Sequence, residues 1–247
     1  SLNRAFLFLE ETTMTDFEKL NHSTSHLMAE AISHLYPGAK FGFGPAIEEG
    51  FYYDIDFPTP ITEEDLPAIE KEMHKIAAKN EKFVREEVSK EEAKKLFKDN
   101  PYKLELIEGI EGQITIYRQG EWFDLCAGEH VESTGKIQNF KLTTIAGAYW
   151  RGDSKNKQLV RIYGTSWPSR KELEDYLKMV EDRKARDHRK LGKELGLFML
   201  SEFGPGLPFW LPNGMILRTE LENMWKEVHR KYDYLFVDTP IMLSKEL

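Results

Sequence analysis

Apolar residues recur at helical spacing in two segments near the start of the chain. Over residues 21–36, Asn21 is a suitable N-cap, and Pro37-Gly38 ends the pattern. A second helix is predicted from Thr62 onward. Its stripe of apolar residues is Leu66, Ile69, Met73 and Ile76. Both helices should therefore bury one face against other elements of the fold.

Between and after these helices, short segments are rich in aromatic and β-branched residues, which is typical of strands. Residues 41–57 indicate a hairpin that turns at Glu48-Glu49-Gly50. A capping box at Ser89 predicts a short third helix. Further predicted strands cover residues 83–88, 102–107, 113–117, 122–125, 140–150 and 158–163. Hairpin-connected strands mixed with helices predict an α+β fold with an antiparallel sheet.

The pattern changes after Trp167-Pro168. Residues 169–195 predict one long helix that is too polar for a core position. Its segment 183–190 is rich in Lys and Arg; we interpret it as a solvated helix face, with contact to nucleic-acid phosphates as the alternative. Beyond a Gly- and Pro-rich break at residues 204–208, the sequence predicts a helix over 214–231 and an apolar strand over 234–237.

Composition narrows the class of protein without identifying it. The 247 residues carry a net charge of −8, so any contact with nucleic acid must come from a local basic patch. The single cysteine excludes an internal disulfide framework and fits a reducing, cytoplasmic location. No apolar stretch reaches the ~18 residues that a membrane helix needs, so no membrane contact is expected.

Two spaced pairs of residues suggest a chemical site. His22 and His26 are one helical turn apart, and Cys126 and His130 have the same spacing around a flexible Gly128. Three imidazoles and a thiol suit either a tetrahedral zinc site or a metal-free acid–base pocket. With His22 in the first turn of its helix, the positive helix end should favour the neutral imidazole.

Two further ionisable residues have an ambiguous setting. Lys103 and Asp124 both alternate with apolar neighbours, so each side chain projects either into a pocket or into solvent. The sequence pattern leaves both choices open.

Several motifs together resemble the threonyl-tRNA synthetase family. Each motif is a short run of chemically distinctive residues. No single motif is specific to the family, but the set is. The motifs are His22-Ser23-Thr24-Ser25-His26, Gly44-Pro45, Gly50-Phe51-Tyr52-Tyr53-Asp54, Asp124-Leu125-Cys126, Ala146 to Asp153, Arg161 to Thr165, and Arg186 to Lys190.

The resemblance implies a domain order. Residues 14–168 correspond to the family's editing domain, 169–198 to a linker helix, and 199–247 to the start of the class II catalytic domain. Residues 234–243 resemble motif 1 of that class, which implies a homodimer for the full enzyme. Residues 1–13 are expected to be a tag or the remnant of another domain. The ATP, magnesium and zinc sites of the full enzyme are expected to be absent from this chain.

The resemblance also implies an activity and a set of site residues. The editing domain hydrolyses tRNA(Thr) that carries serine, so that charged tRNA is the expected partner. The implied catalytic residues are His22, His26, Lys103, Cys126 and His130. The implied substrate-binding residues are Gly44, Tyr53 and Asp124. The family's pocket is expected to work without a metal ion, although similar ligands bind zinc in related alanyl-type sites.

The sequence departs from the family pattern between Cys126 and His130. The family usually has Arg and Pro where this chain has Ala127 and Glu129. Loss of the cation predicts weaker tRNA binding with an intact catalytic set. Two other functions remain open: a zinc-dependent hydrolase that uses His22, His26, Cys126 and His130, and a non-catalytic tRNA-binding or dimerisation fragment.

Overall fold

The computed structural model describes residues 14–241. The chain divides into two compact units, Ser1–Tyr176 and Leu177–Leu247. The expected tag or domain remnant at residues 1–13 lies outside the described residues. Across the described part, every helix is too short or too polar to cross a membrane.

The first unit combines helices with antiparallel sheets, so the predicted α+β class is confirmed. Its helices are α1 (Asp16–Leu35), α2 (Leu66–Lys79), α3 (Lys90–Leu96), α4 (Pro101–Glu108) and the start of α5 (Arg170–Ala185). Its strands are β1 (Lys40–Phe41), β2 (Ala46–Ile47), β3 (Gly50–Asp56), β4 (Phe83–Val88), β5 (Ile114–Gln119), β6 (Trp122–Leu125), β7 (Asn139–Tyr149) and β8 (Gln158–Trp167).

Two antiparallel sheets form the frame of this unit. The larger one has the strand order β1-β3-β8-β7, with β2 also paired to β3, and the smaller one has the order β4-β5-β6. In the larger sheet, Tyr53 lies opposite Ile162. The smaller sheet ends where β6 reaches Leu125, directly before Cys126. The cysteine loop, residues 126–130, therefore follows the smaller sheet, and Tyr53 lies on the larger sheet.

The main core packs α1 and α2 against the larger sheet. The predicted stripe of α2 is buried, as expected from its spacing. From α1, the buried residues include Leu27, Met28 and Ile32, and from β3 they include Phe51 and Ile55. A smaller apolar cluster joins α3, α4 and β5 through Ala93, Ile107 and Ile116.

The first helix begins earlier than predicted. Thr15, not Asn21, is the N-cap, and it forms a capping box with Glu18. Asn21 is fully buried and instead pairs with the backbone of Ser166 in both directions, at 3.0 and 2.9 Å. Because His22 therefore lies beyond the first turn, the positive helix end cannot explain its protonation state.

The strand predicted over residues 102–107 is wrong, because this segment is the helix α4. Asn100 accepts hydrogen bonds from the backbone N–H groups of Tyr102 and Lys103, and Pro101 occupies the first helical position. These are strong signals for a helix start, and they override the apparent alternation of the segment.

The second unit contains the end of α5, then α6 (His188–Glu194), the β9–β10 hairpin (Phe198–Leu200 and Pro208–Trp210) and α7 (Pro212–Lys231). The single helix predicted over 169–195 is wrong, because Asp187 caps a new helix by accepting from the N–H of Arg189. The strand predicted over 234–237 is also not present. After a positive-φ turn at Asp233, Phe236 packs on Trp225 of α7 instead.

Candidate active site

His22 and His26 lie side by side on α1, one turn apart. Their ring centroids are 5.1 Å apart, with 29° between the ring planes. His26 is buried, and Trp122 of β6 meets its ring edge-on at 5.6 Å. The spacing therefore places both imidazoles at the end of the smaller sheet.

Cys126 is fixed by the strand next to it. Its backbone N–H donates to the carbonyl of Thr115 at 3.2 Å, and the Thr115 hydroxyl donates to the Cys126 carbonyl at 2.6 Å. The loop then passes so close to α1 that a Cβ on Gly128 would lie 2.8 Å from Cε1 of His22. A side chain at position 128 would therefore force the His22 ring to shift.

The structure brings the two pairs together. Nε2 of His22 lies 3.1 Å from Sγ of Cys126, and that sulfur lies 3.4 Å from Nε2 of His130. The His130 ring is 4.6 Å from the His22 ring and 4.4 Å from the His26 ring. One atom from each of the four side chains lies within 4.8 Å of the others.

The donor types in this cluster fit a zinc ion. Imidazole nitrogen and thiolate sulfur are the ligands that zinc prefers in proteins. In addition, Nδ1 of His26 is buried and has no hydrogen-bond partner among the described residues. The donors and their proximity therefore keep a metal site open as an alternative to a metal-free pocket.

Burial sets the protonation states of the cluster. It lowers the pKa of His22 to about 4, with the charge of Lys103 acting in the same direction. Burial likewise lowers the pKa of His26 and of His130 well below the ordinary value. It raises the pKa of Cys126 to about 12. At neutral pH, the metal-free cluster therefore contains neutral imidazoles and a thiol.

A second polar cluster consists of Lys103, Asp124 and Tyr53. Lys103 is fully buried on α4, where its Nζ pairs with Oδ1 of Asp124 at 2.6 Å and donates to the Tyr53 hydroxyl at 3.0 Å. The Tyr53 hydroxyl donates to the other carboxylate oxygen of Asp124. Each charged group thus has partners, which a buried ion pair requires.

The charges of this second cluster shift pKa values in the first cluster. The charge of Lys103 contributes to the lowered pKa of both His22 and His26, and the carboxylate of Asp124 contributes to the raised pKa of Cys126. The side chains of Lys103 and Asp124 both project into the protein interior and not into solvent.

Gly44 lies beside the same region. Its carbonyl accepts from the hydroxyl of Ser25 at 2.9 Å, and a Cβ at this position would overlap the Tyr53 ring. All eight residues expected at the site therefore lie in one region of the first unit. They are Gly44, Tyr53, Lys103, Asp124, His22, His26, Cys126 and His130.

Residues 114–163 match a family model described as the threonyl and alanyl tRNA synthetase second additional domain. This range contains Asp124, Cys126 and His130. The chain is also similar to curated threonine–tRNA ligases over almost its full length. It is 54% identical to the protein from Clostridium tetani over 97% of this chain, and 56% identical to the one from Streptococcus pneumoniae over 92%.

The chain belongs to the threonyl-tRNA synthetase family. It is also 50% identical to the threonine–tRNA ligase of Thermotoga neapolitana over 98% of its residues. The chain spans only 36–38% of the length of these relatives. Membership of the synthetase family is therefore established for a part of such a protein, and the activity of the part is a separate question.

Sequence reasoning missed three residues that hold the His130 ring. The Ser23 hydroxyl lies 3.0 Å from Nδ1 of His130, Phe83 stacks on the ring at 4.8 Å, and Tyr117 lies 4.3 Å from it. Ser23 sits inside the motif that begins with His22, three residues before His26. Its place on the histidine-bearing face of α1 was the available signal.

We expect the metal-free protein to lose stability as the pH falls from about 6.5 to 4. The pKa of His22 falls from 6.5 to about 4 on folding, so the unfolded chain binds more protons throughout that window. The contribution of His22 to stability thus rises with pH across the window and levels off above it, at on the order of 3 kcal/mol.

Urea unfolding with chelator present, repeated at several pH values, measures this dependence. Between about pH 5 and 6.5, few carboxylates titrate, so His26→Asn should reduce the slope of stability against pH. His74→Gln changes an exposed histidine and should leave the slope unchanged. Equal slopes in all three proteins would contradict the assignment.

Proposed function

We propose that this pocket hydrolyses the ester bond of tRNA(Thr) that carries serine in error. The proposal places the chain in a threonine–tRNA ligase whose complete form joins threonine to tRNA(Thr) with ATP. The observation that carries it is the assembly of neutral His22, His26 and His130 beside the buried Lys103–Asp124 pair, in a chain of the synthetase family.

The residues have complementary parts in this reaction. A neutral imidazole accepts the proton of an attacking water, and His22 has that form at pH 7 because its pKa is about 4. Lys103 supplies a fixed positive charge beside the histidines, which stabilises negative charge on the ester oxygen. Tyr53 and Asp124, held by Lys103, and the backbone at Gly44 would position the aminoacyl group and the terminal adenosine.

A separate hydrolytic pocket has a physical reason. Serine lacks one methyl group of threonine, and such a difference changes binding by only about 1–3 kcal/mol. A synthetic site cannot reject the smaller serine by size. A second pocket that admits serine and excludes threonine completes the selection.

The reaction as proposed needs no metal ion. If zinc is resident, His22, His26, Cys126 and His130 would hold it, and it would supply Lewis-acid polarisation of the ester carbonyl. In either case, Lys103 and Asp124 keep their positions, since their partners lie outside this donor set.

The test is deacylation of seryl-tRNA(Thr) by this chain, with and without a chelator. We expect hydrolysis that the chelator does not slow. Loss of activity with chelator and its return with zinc would favour the zinc hydrolase. Binding of seryl-tRNA(Thr) with no hydrolysis under either condition would favour a non-catalytic tRNA-binding fragment.

The rest of the chain extends the proposal. We assign residues 14–168 to editing, 169–198 to a linker and 199–247 to the start of the class II domain, with dimerisation through residues 234–243 in the full enzyme. This assignment predicts no ATP-dependent activation of threonine by residues 1–247, and such activation would contradict it. Cytoplasmic localisation stays a prediction.

Restoring a cation next to the pocket should strengthen tRNA binding. In this chain, Glu129 pairs with Lys19 at 2.5 Å and Ala127 offers no charge, so the loop presents little positive potential. We expect Ala127→Arg to bind seryl-tRNA(Thr) several-fold more tightly, with greater salt dependence, and Ala127→Gln to bind like the original protein. Filter binding at two salt concentrations measures both, and equal affinities would refute the effect.

A further inference from the structure

Ser23 links the histidine helix to the cysteine loop at a fully buried position. Its Oγ accepts a hydrogen bond from the backbone N–H of Val131 at 3.0 Å. The same oxygen lies 3.0 Å from Nδ1 of His130. One hydroxyl group therefore contacts both the loop backbone and one ring nitrogen.

The count of hydrogens fixes the direction of the second hydrogen bond. The Val131 amide is a donor only, so it uses a lone pair of Oγ and leaves the hydroxyl hydrogen free. Among residues 14–241, the other group within hydrogen-bond distance of Oγ is Nδ1 of His130. Because a buried hydroxyl hydrogen without an acceptor is unfavourable, Ser23 donates and Nδ1 accepts.

The His130 ring is held in this orientation from its sides. Phe83 stacks on one face with only 7° between the ring planes, and Tyr117 packs at 4.3 Å. With Nδ1 as the acceptor, the neutral ring carries its hydrogen on Nε2. That nitrogen faces Sγ of Cys126 at 3.4 Å.

The thiol of Cys126 links His130 to His22. When Sγ accepts from His130, the thiol hydrogen is directed at the other neighbour of the sulfur, Nε2 of His22 at 3.1 Å. His22 thus presents an acceptor nitrogen, and His130 presents an N–H donor. We propose that Ser23 is a positioning residue that holds His130 as the hydrogen-bond donor and His22 as the proton acceptor of the pocket.

This division of roles rests on the proposed function for its use in hydrolysis. The water oxygen bonds to the ester carbon, and the carbonyl electron pair moves to the carbonyl oxygen. That oxygen replaces Sγ of Cys126 as the acceptor from Nε2–H of His130. The attacking water replaces the Cys126 thiol as the hydrogen-bond donor to Nε2 of His22, and the water proton passes to that nitrogen. When the bond between that carbon and the ribose oxygen breaks, the ribose oxygen takes the proton from His22. One water is consumed, and serine and tRNA are released.

The first test is the tautomer of His130 in the full chain, metal-free with chelator. Nuclear magnetic resonance with ¹⁵N-labelled histidine shows which ring nitrogen carries hydrogen, and the His130→Asn variant assigns the signal. We expect hydrogen on Nε2 and a hydrogen-bonded Nδ1 acceptor. Hydrogen on Nδ1 of His130 would overturn the proposal.

Three variants test whether Ser23 is the cause. Ser23→Asp can only accept, so it should move the hydrogen to Nδ1, whereas Ser23→Thr keeps the hydroxyl and should match the original spectrum. Ser23→Ala should shift the Nδ1 signal to that of an unbonded nitrogen. Unchanged signals of His34 and His74 show that each variant is folded. An Nδ1 signal unaffected by Ser23→Ala would overturn the proposal.

Kinetics supply the second readout. We expect Ser23→Ala to lower kcat for seryl-tRNA(Thr) about tenfold with little change in KM, and Ser23→Thr to restore it. Equal kcat for the Ala variant and the original protein would overturn the role of Ser23. An original protein that has hydrogen on Nε2 but hydrolyses nothing would refute the proposed function while the tautomer assignment stands.

Discussion

We expect seryl-tRNA(Thr) hydrolysis to fall by about 100- to 10,000-fold when His22 is replaced by asparagine, the range typical of losing a general base. His22 lies 3.1 Å from Cys126 and stays neutral at pH 7, because burial lowers its pKa to about 4. Asparagine keeps a polar side chain of similar size but cannot accept a proton near neutral pH. Single-turnover deacylation measures the loss.

The matched control is His74→Asn. His74 is an exposed histidine on α2 whose ring stacks on Phe140, and it has no part in the cluster. This variant should hydrolyse seryl-tRNA(Thr) at the original rate. If His22→Asn retains more than about a tenth of the activity while folding normally, another group is the base.

Replacing Lys103 with methionine should cost both activity and stability. The change leaves the buried carboxylate of Asp124 without its cation, which costs about 3–5 kcal/mol of unfolding free energy. It also removes the positive charge beside His22, so hydrolysis should become undetectable. Urea unfolding and deacylation measure the two effects.

Two further variants distinguish the effect of breaking the buried ion pair from the effect of removing any lysine. Lys141→Met breaks the exposed pair with Glu70 and should cost less than about 1 kcal/mol. Adding Asp124→Asn to Lys103→Met should recover part of the stability, because no buried charge then lacks a partner, but should recover no activity. An equal cost for the two single lysine variants would refute the buried pair.

The spacing of residues in the sequence predicted much of the site. The four-residue spacing of His22 and His26 places both on one face of α1, whereas Cys126 and His130 lie in an irregular loop that tertiary contacts orient. Both pairs do meet in one cluster. The sequence pattern alone did not reveal that Lys103 and Asp124 pair with each other, because that contact joins a helix to a strand through tertiary packing.

Two errors in the predicted secondary structure have physical causes. Apparent alternation around Tyr102 predicted a strand, yet Asn100 and Pro101 are a helix cap and first helical residue, and the segment is helical. Asn21 looked like a cap, but its amide pairs with the Ser166 backbone, a contact 145 residues away in the chain. A stronger local signal therefore decides the first case, and a contact between distant parts of the chain decides the second.

The most direct test of the proposed editing activity compares hydrolysis of seryl-tRNA(Thr) and threonyl-tRNA(Thr) by this chain under single-turnover conditions. We expect rapid release of serine and a rate for threonine at least tenfold lower, the minimum expected when a pocket must exclude one extra methyl group. Equal rates for the two aminoacyl groups, or faster release of threonine, would contradict the claim that this pocket edits tRNA charged with serine.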